Sequence, residues 1–547
     1  MPSSEKRLDD MIQQAPTTDD PRLSVQEQGQ KASDARLPGD VESSRDPRAN
    51  ASPPLPFSKG RCIALVATLT GASFLNTFAV QAAVIILPTI AEALDIPASR
   101  AQWIVSAYLL TFGCFLLLWG RIADLYGKRM VFILGSAWVT VTVAANPFMP
   151  NEIAFDVFRG LQGLGGAANV PTAMGILGTT FPPGRAKTYA FSVYSAGTPL
   201  GSVIGNLLAG FIASFGSWKW VFGAMAMLAA LVTVAGIFVI PQPKEVFHDR
   251  DPIAAGTVDW LGAFLITAGL LCLLFALTEG NVVGWSTPWV PVLIVVSIFL
   301  VTSFVLWQRH LGRKKTPPPL MRVSVFHSRI FSSAMLTNGL FNASFNGYLV
   351  YATYFFQDYQ DLTPLQTTLR FIPTGVTGII TAAVASQLLM RIPAYKILLF
   401  STLCVSTSSL LFAVPIPPDT TYFAYGLWAM MFATFGADTV GPCLSLFTSH
   451  ALPQADQAMG GALLYAFAQL GRALGLAVAT ATQTAVMARE KRVSVENARE
   501  VEPWDAASLA GLRAANWLNF ALGMCSLCVV GVAFRGSGII GKAGAAK

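Results

Sequence analysis

The chain has 547 residues, of which 53% are hydrophobic and only 12% charged, and it carries a formal net charge of +7. Soluble domains carry about a quarter charged residues, so this composition excludes a soluble enzyme or nucleic-acid-binding module and points to a membrane protein. The excess positive charge then belongs to loops that fix topology rather than to nucleic-acid contact.

Residues 1–60 are rich in Ser, Pro, Asp, Gln and Arg, with nearly balanced charge and no apolar periodicity. That composition cannot bury a core and predicts a disordered cytoplasmic tail. No basic-then-apolar leader opens the chain, so the first span is expected to act as the insertion signal. From residue 61 onward, apolar runs long enough for a roughly 30 Å hydrocarbon core predict fourteen spans. The first six lie near 62–90, 102–119, 130–148, 153–179, 188–213 and 218–240, and two more near 260–279 and 288–308. The last six lie near 330–356, 368–390, 395–415, 421–447, 458–487 and 514–534. The layout divides into a six-helix bundle (61–240), two extra helices with a cytoplasmic loop (241–329), a second six-helix bundle (330–535) and a cytoplasmic tail (536–547). An all-α polytopic membrane fold follows.

Lys and Arg in the short loops orient it. Loops after even-numbered spans hold Arg121, Lys128, Arg129, Arg185, Lys187, Lys244, Arg309, Arg313, Arg391 and Lys396; loops after odd-numbered spans hold little beyond Arg100 and Lys219. Even-numbered loops and both tails are therefore cytoplasmic. The seven cysteines all fall inside apolar runs, and the Cys525–Cys528 spacing has no second ligand pair, so core packing is expected rather than a metal site.

Several groups of residues could carry chemistry. Gly120-Arg-Ile-Ala-Asp-Leu-Tyr-Gly-Lys-Arg129 is a charged loop between the second and third spans. Gly120 and Gly127 permit tight turning and close helix approach, and Asp124 lies within reach of Arg121, Lys128 or Arg129. The matching stretch of the second half, Ser386–Lys396, keeps only scattered charge. In the fourth span Arg159, Gln162, Gly163, Gly166 and Val170 share one face. An arginine inside a span is costly unless it faces a cavity or partner; the alternative is a snorkelling side chain near the outer end, helped by Asp156. The fifth span carries Gly197, Gly201 and Gly205 at intervals of four, with Pro199 inside the helix, a pattern for close helix packing.

Asp438 in the span near 421–447 and Arg472 in the one near 458–487 are the two deepest charges. They either form a structural salt bridge or leave Asp438 free to carry a proton. Arg472 shares a helix face with Tyr465 and Gln469. Thr70, Ser73, Thr77 and Gln81 line one face of the first span; Asn338, Asn342 and Asn346 line the ninth. These stripes either face a wet cavity or bond between helices. As cavity lining, with Phe341, Phe345 and Tyr348, they suit a moderately polar organic molecule better than a strongly charged ion. No P-loop lysine motif, zinc spacing or nucleophile elbow occurs, which speaks against ATP drive, cofactors and enzymatic chemistry.

The spacing G-x-x-x-D-x-x-G-K-R of residues 120–129 resembles the loop between the second and third helices of the major facilitator superfamily. Arg159-Gly-Leu-Gln-Gly-Leu-Gly-Gly-Ala-Ala168 resembles its second motif. Asp259-Trp-Leu-Gly262, Gly284-Trp285, Thr363-Pro-Leu-Gln366 and Arg370-Phe-Ile-Pro373 look like the fourteen-helix drug:proton antiporter branch, with fungal members most similar. The resemblance covers residues 62–534. It implies that the 120–129 loop locks the cytoplasmic side and that Arg159 takes part in proton transfer, with Gln162, Thr77, Gln81, Gln469 and the three asparagines at the substrate cavity. It also implies proton-driven efflux of a drug, toxin or secondary metabolite by a monomer in the plasma membrane, with the vacuolar membrane as the alternative. Departures keep other readings open. Leu125 stands where the family often has arginine, the first span lacks an acid, and Ser202-Val203 replaces the glycine pair of the antiporter motif. A uniporter or importer of a small polar solute, or a non-transporting sensor, are those readings.

Overall fold

The computed structural model describes residues 55–242, 258–314, 319–495, 498, 500–535 and 538–539. Most of the 1–60 and 536–547 tails, and loop residues 243–257 and 315–318, lie outside the described residues. Fourteen long helices run through the described part: α1 (Lys59–Ile85), α2 (Trp103–Tyr126), α3 (Lys128–Ala145), α4 (Glu152–Thr180), α5 (Arg185–Phe215), α6 (Lys219–Val239), α7 (Trp260–Val283), α8 (Trp289–Lys314), α9 (Arg329–Tyr354), α10 (Pro364–Arg391), α11 (Ala394–Ala413), α12 (Tyr422–Ala451), α13 (Gln457–Lys491) and α14 (Ala506–Ala533).

Twelve of them are long and apolar enough to cross a membrane; α4 and α9 are not among these. The two are 29 and 26 residues long, so length is not the obstacle. Their polar side chains, among them Arg159, Gln162 and Asn169 on α4 and Asn338 on α9, lower the apolarity, yet all four are buried inside the protein. For α4 and α9 a membrane crossing stays an expectation from the sequence.

Local chemistry sets the helix ends. Asn151, Asp259 and Asp505 each accept a hydrogen bond from a backbone N–H of the first turn of α4, α7 and α14. Thr363 and Gln366 form a reciprocal capping box at α10. The Asp505 cap starts the last helix at Ala506, eight residues earlier than the apolar pattern suggests. The first span, expected to reach residue 90, ends at Ile85. Pro88 lacks an N–H and opens a separate short helix, Leu87–Ala93.

Two sets of helices pack closely. In the first half α1 lies along α5, α2 and α3 on α4, and α3 on α6; in the second α9 lies on α13 and α14, α11 on α12 and α14, and α10 on α12. The halves meet where α13 crosses α2 and α4, and where α5 crosses α10 and α12. The extra helices α7 and α8 pair with each other, and α7 also lies against α2 and α13. Cys525 and Cys528 correct the core-packing expectation. Both are exposed on α14, because they fall on its outward side.

Candidate functional site

The end of α2 is built from the 120–129 stretch. Gly127 takes φ +106°, a conformation other L residues rarely adopt, so α2 turns directly into α3. Gly120 lets α2 touch α13: a Cβ there would come 2.7 Å from that of Ala462. The contact brings Asp124, whose side chain is 1% exposed, onto the first turn of α13. Its Oδ1 accepts from the N–H of Ala458 at 3.2 Å and its Oδ2 from that of Met459 at 2.8 Å, while Lys128 Nζ lies 2.9 Å from Oδ1. First-turn N–H groups have no intrahelical partner and carry the positive end of the helix dipole, so a carboxylate suits them.

The other charges divide. Arg121 faces Asp456, just before α13, with Nη1 3.8 Å from Oδ1; the same carboxylate lies 3.9 Å from Arg322 Nε. Arg129 stays within its own half and donates to the carbonyls of Ile240 and Ile237 at 3.0 and 2.6 Å, capping α6. Of the three cations near Asp124 in sequence, Lys128 alone pairs with it. In the matching stretch of the second half, Gln387 Nε2 donates to the Tyr189 hydroxyl at 2.8 Å, a neutral contact.

Arg159 is fully buried. Its Nε donates to the Ile104 carbonyl at 2.7 Å, Nη1 to Gln162 Oε1 at 2.6 Å and Nη2 to the Ala79 carbonyl at 3.2 Å, and its guanidinium lies 5.1 Å from the Tyr108 ring centre. The snorkelling alternative is corrected: the side chain points into the first half, not to the outer surface, and Asp156 makes no ion pair with it. Gln162, read from sequence as cavity lining, is 1% exposed and spent on Arg159.

On α5 the glycine stripe faces α1. A Cβ at Gly197 would come 2.7 Å from the Thr70 carbonyl oxygen and one at Gly205 3.2 Å from Phe78 Cα, and Gly201 lies against the Phe74 carbonyl. Pro199 lies on roughly the opposite side of α5 and meets α10. A Cβ at Gly378 would come 3.1 Å from Pro199 Cβ and 3.0 Å from Asp438 Oδ2. Asp438 thus sits where α5 of one half meets α10 and α12 of the other, and its Oδ2 is buried with no hydrogen-bond partner.

Arg472 is elsewhere. Its Nε and Nη2 each lie 3.4 Å from Asn342 Oδ1 on α9. The salt bridge to Asp438 does not form, because α12 turns its acid towards α10 and α5 while α13 turns its arginine towards α9. The asparagine stripe divides. Asn338 is buried and donates to the Leu464 carbonyl at 2.6 Å, an interhelical bond, whereas Asn342 and Asn346 donate to the carbonyls one turn back and stay half-buried. Asn338 and Gln469, the latter against Gly113 of α2, therefore join helices and do not line an open face. Thr77 is half-buried, and Gln81 Nε2 donates to Ser202 Oγ at 3.0 Å between α1 and α5.

Sequence reasoning missed the other side of the α2–α13 contact. Asp456 and the first N–H groups of α13 are its second half; an acid directly before a long apolar run is a helix-start signal that could have flagged them. It also missed Asp259 as an anchor: besides capping α7, this carboxylate accepts from Trp307 Nε1 at 3.0 Å and Gln308 Nε2 at 2.7 Å on α8.

Comparison with known proteins agrees with this architecture. The chain is 28% identical over 392 residues to the low affinity ammonium transporter of Saccharomyces cerevisiae, covering 71% of this chain and 75% of that protein. It is 26% identical over 426 residues to the efflux pump terJ of Aspergillus terreus, covering 77% and 81%. The crystal structure of the human organic anion transporter MFSD10 superposes with a TM-score of 0.60 at 17% identity over 88% of this chain and 100% of that one, a likeness that shows the fold alone. Residues 69–476 match the family Major Facilitator Superfamily, well over half of the chain, and with its apolar helices the chain is therefore a multi-pass membrane transporter of that superfamily and not an enzyme.

Proposed function

We propose that the protein exports a small organic compound, a drug, toxin or secondary metabolite, by alternating access coupled to proton entry. The observation that carries this is Asp438. Its unpartnered carboxylate oxygen lies between Pro199 of α5 and Gly378 of α10, where the halves of the protein meet. Ionised, such an oxygen is a buried charge without a counterion, and protonated it is not. Any movement that parts α5 from α10 admits water to it, so proton binding and opening of the interface are coupled. The Asp124 contact supplies a gate at the cytoplasmic end. The names of several relatives point to export: the efflux pumps terJ and terG of Aspergillus terreus and the puromycin resistance protein pur8 of Streptomyces alboniger. The ammonium transporter of Saccharomyces cerevisiae keeps a second reading, uniport or uptake of a small polar solute. The plasma membrane is the proposed site, and a monomer the proposed state.

The test is transport by purified protein in proteoliposomes, using a panel of organic compounds that includes puromycin, with and without an imposed pH gradient. Wild-type transport should accelerate with the gradient. Asp438→Asn should lose that acceleration and keep substrate exchange at equal pH. Wild-type transport indifferent to the gradient would replace the antiporter by a uniporter. Gradient-driven transport by Asp438→Asn at normal expression would remove Asp438 from the coupling.

A further inference from the structure

Arg472 is the charge that the coupling of Asp438 leaves over. It is exposed, although it lies mid-way along a long apolar helix. The exposure is not towards lipid. Leu474 and Val478, at 44% and 51% exposure, mark the outer side of α13, and at 100° per residue Arg472 points about 200° away from Leu474. The face it shares with Tyr465 and Gln469 looks towards the first half, because Gln469 packs on Gly113 of α2.

The side chain is held but not neutralised. Gly471 and Gly475 flank it and press α13 onto α9 so closely that a Cβ at Gly475 would come 2.6 Å from that of Ala343. Asn342 is fixed in turn by donating to the Asn338 carbonyl and Oδ1 at 2.9 and 3.1 Å, so its own Oδ1 is left for Arg472. Both contacts from Arg472 to that oxygen are long, 3.4 Å. No carboxylate lies within ion-pairing distance of Arg472 among the described residues. A guanidinium has five N–H donors in a planar fork that matches a carboxylate two by two. One amide oxygen at long range occupies little of it. Arg159, the other arginine deep in a helix, shows the contrast: three shorter bonds and no exposure. The amide-lined face read from sequence as neutral is therefore positively charged at its centre.

We infer that the transported compound is an organic anion, bound through a carboxylate or other ionised acid group to Arg472 with Asn342 beside it. This rests on the transport function proposed above and narrows its substrate class. In the closed cytoplasmic state Asn342 holds the fork ready, and an anion entering from the interior face completes the ion pair.

The experiment uses the full-length protein, purified, with a panel of aromatic carboxylates (carboxyfluorescein, 2-naphthoate, salicylate) and cations of matched size, rhodamine 123 standing against carboxyfluorescein on the same ring system. Binding is read from ligand-induced thermal stabilisation, and exchange from counterflow in proteoliposomes. At least one carboxylate should stabilise and exchange in the wild type. Arg472→Gln should weaken its apparent affinity about 10- to 100-fold, the loss expected for charge-assisted bonds; Arg472→Lys, which keeps the charge and loses the fork, should fall between. A panel in which no carboxylate binds, or an Arg472→Gln protein that binds carboxylates like the wild type, overturns the proposal. Transport of cations alone, driven by a pH gradient and lost in Asp438→Asn, would leave export standing and remove the anion. Arg472-dependent carboxylate binding without any transport would do the reverse.

Discussion

Replacing Asp124 by Asn tests whether its contact with α13 acts as a gate. The carboxylate accepts two backbone N–H groups of α13 at 3.2 and 2.8 Å and faces Lys128 at 2.9 Å. A hydrogen bond to a charged acceptor contributes about 1.5–3 kcal/mol, against about 0.5–1.5 kcal/mol for a neutral one. Loss of the negative charge at a helix N-terminus forfeits about 0.3–1 kcal/mol more. An asparagine oxygen can keep one of the two bonds, so the closed state should lose about 2 kcal/mol relative to the open one. That is a change of about thirtyfold in the closed-to-open ratio. The assay is amide hydrogen exchange of a peptide spanning the start of α13, which includes Ala458 and Met459. Exchange there should quicken by about thirtyfold in Asp124→Asn, because the local opening free energy sets it. A peptide from the start of α14, at the other end of the protein, should not change. Exchange at Ala458 and Met459 within twofold of the wild type would show that the contact does not hold the gate.

Three further substitutions probe the packing. Gly201→Val drives a side chain into the Phe74 carbonyl of α1, whereas Gly441→Val meets nothing within 4 Å on α12. The first should abolish recovery of folded monodisperse protein and the second should not, read by size-exclusion chromatography of detergent extracts; equal recovery would refute the packing of α5 on α1. Asp259→Ala strips the acceptor from Gly262 N, Trp307 Nε1 and Gln308 Nε2. Leaving buried donors unsatisfied costs about 1–3 kcal/mol each, so the variant should melt at lower temperature with an altered Trp307 emission, and an unchanged melting curve would deny the anchor.

Much of the fold was legible because its signals are local. Fourteen apolar runs became fourteen long helices near the expected positions, with Asp259 and Thr363 capping two of them. Where boundaries moved, a single residue explains it: Pro88 cut α1 short, and Asp505 started α14 early. α4 and α9 stand at the expected positions but are less apolar than the other long helices, since a helix surrounded by other helices can carry polar groups that a lipid-facing one cannot. The site was legible only in part. Asp124 could be singled out, but its partners are the backbone N–H groups of Ala458 and Met459, more than 300 residues away in the chain. Main-chain donors leave no mark in a sequence.

Asp438 and Arg472 show the sharper limit. Hydropathy sets the depth of a charge in a span, and helical period sets which residues share its face. Neither sets the angle at which one helix presents that face to the next. Two opposite charges at one depth on consecutive spans therefore read as a pair, and a pair would have cancelled both. The fold rotates them apart, Asp438 towards the α5–α10 contact and Arg472 towards α9. Held apart, Asp438 keeps a buried oxygen without a partner and Arg472 an exposed guanidinium without a carboxylate beside it. On the proposed function the first would take the proton and the second the substrate, and each would bias the contact between the halves without competing for one site.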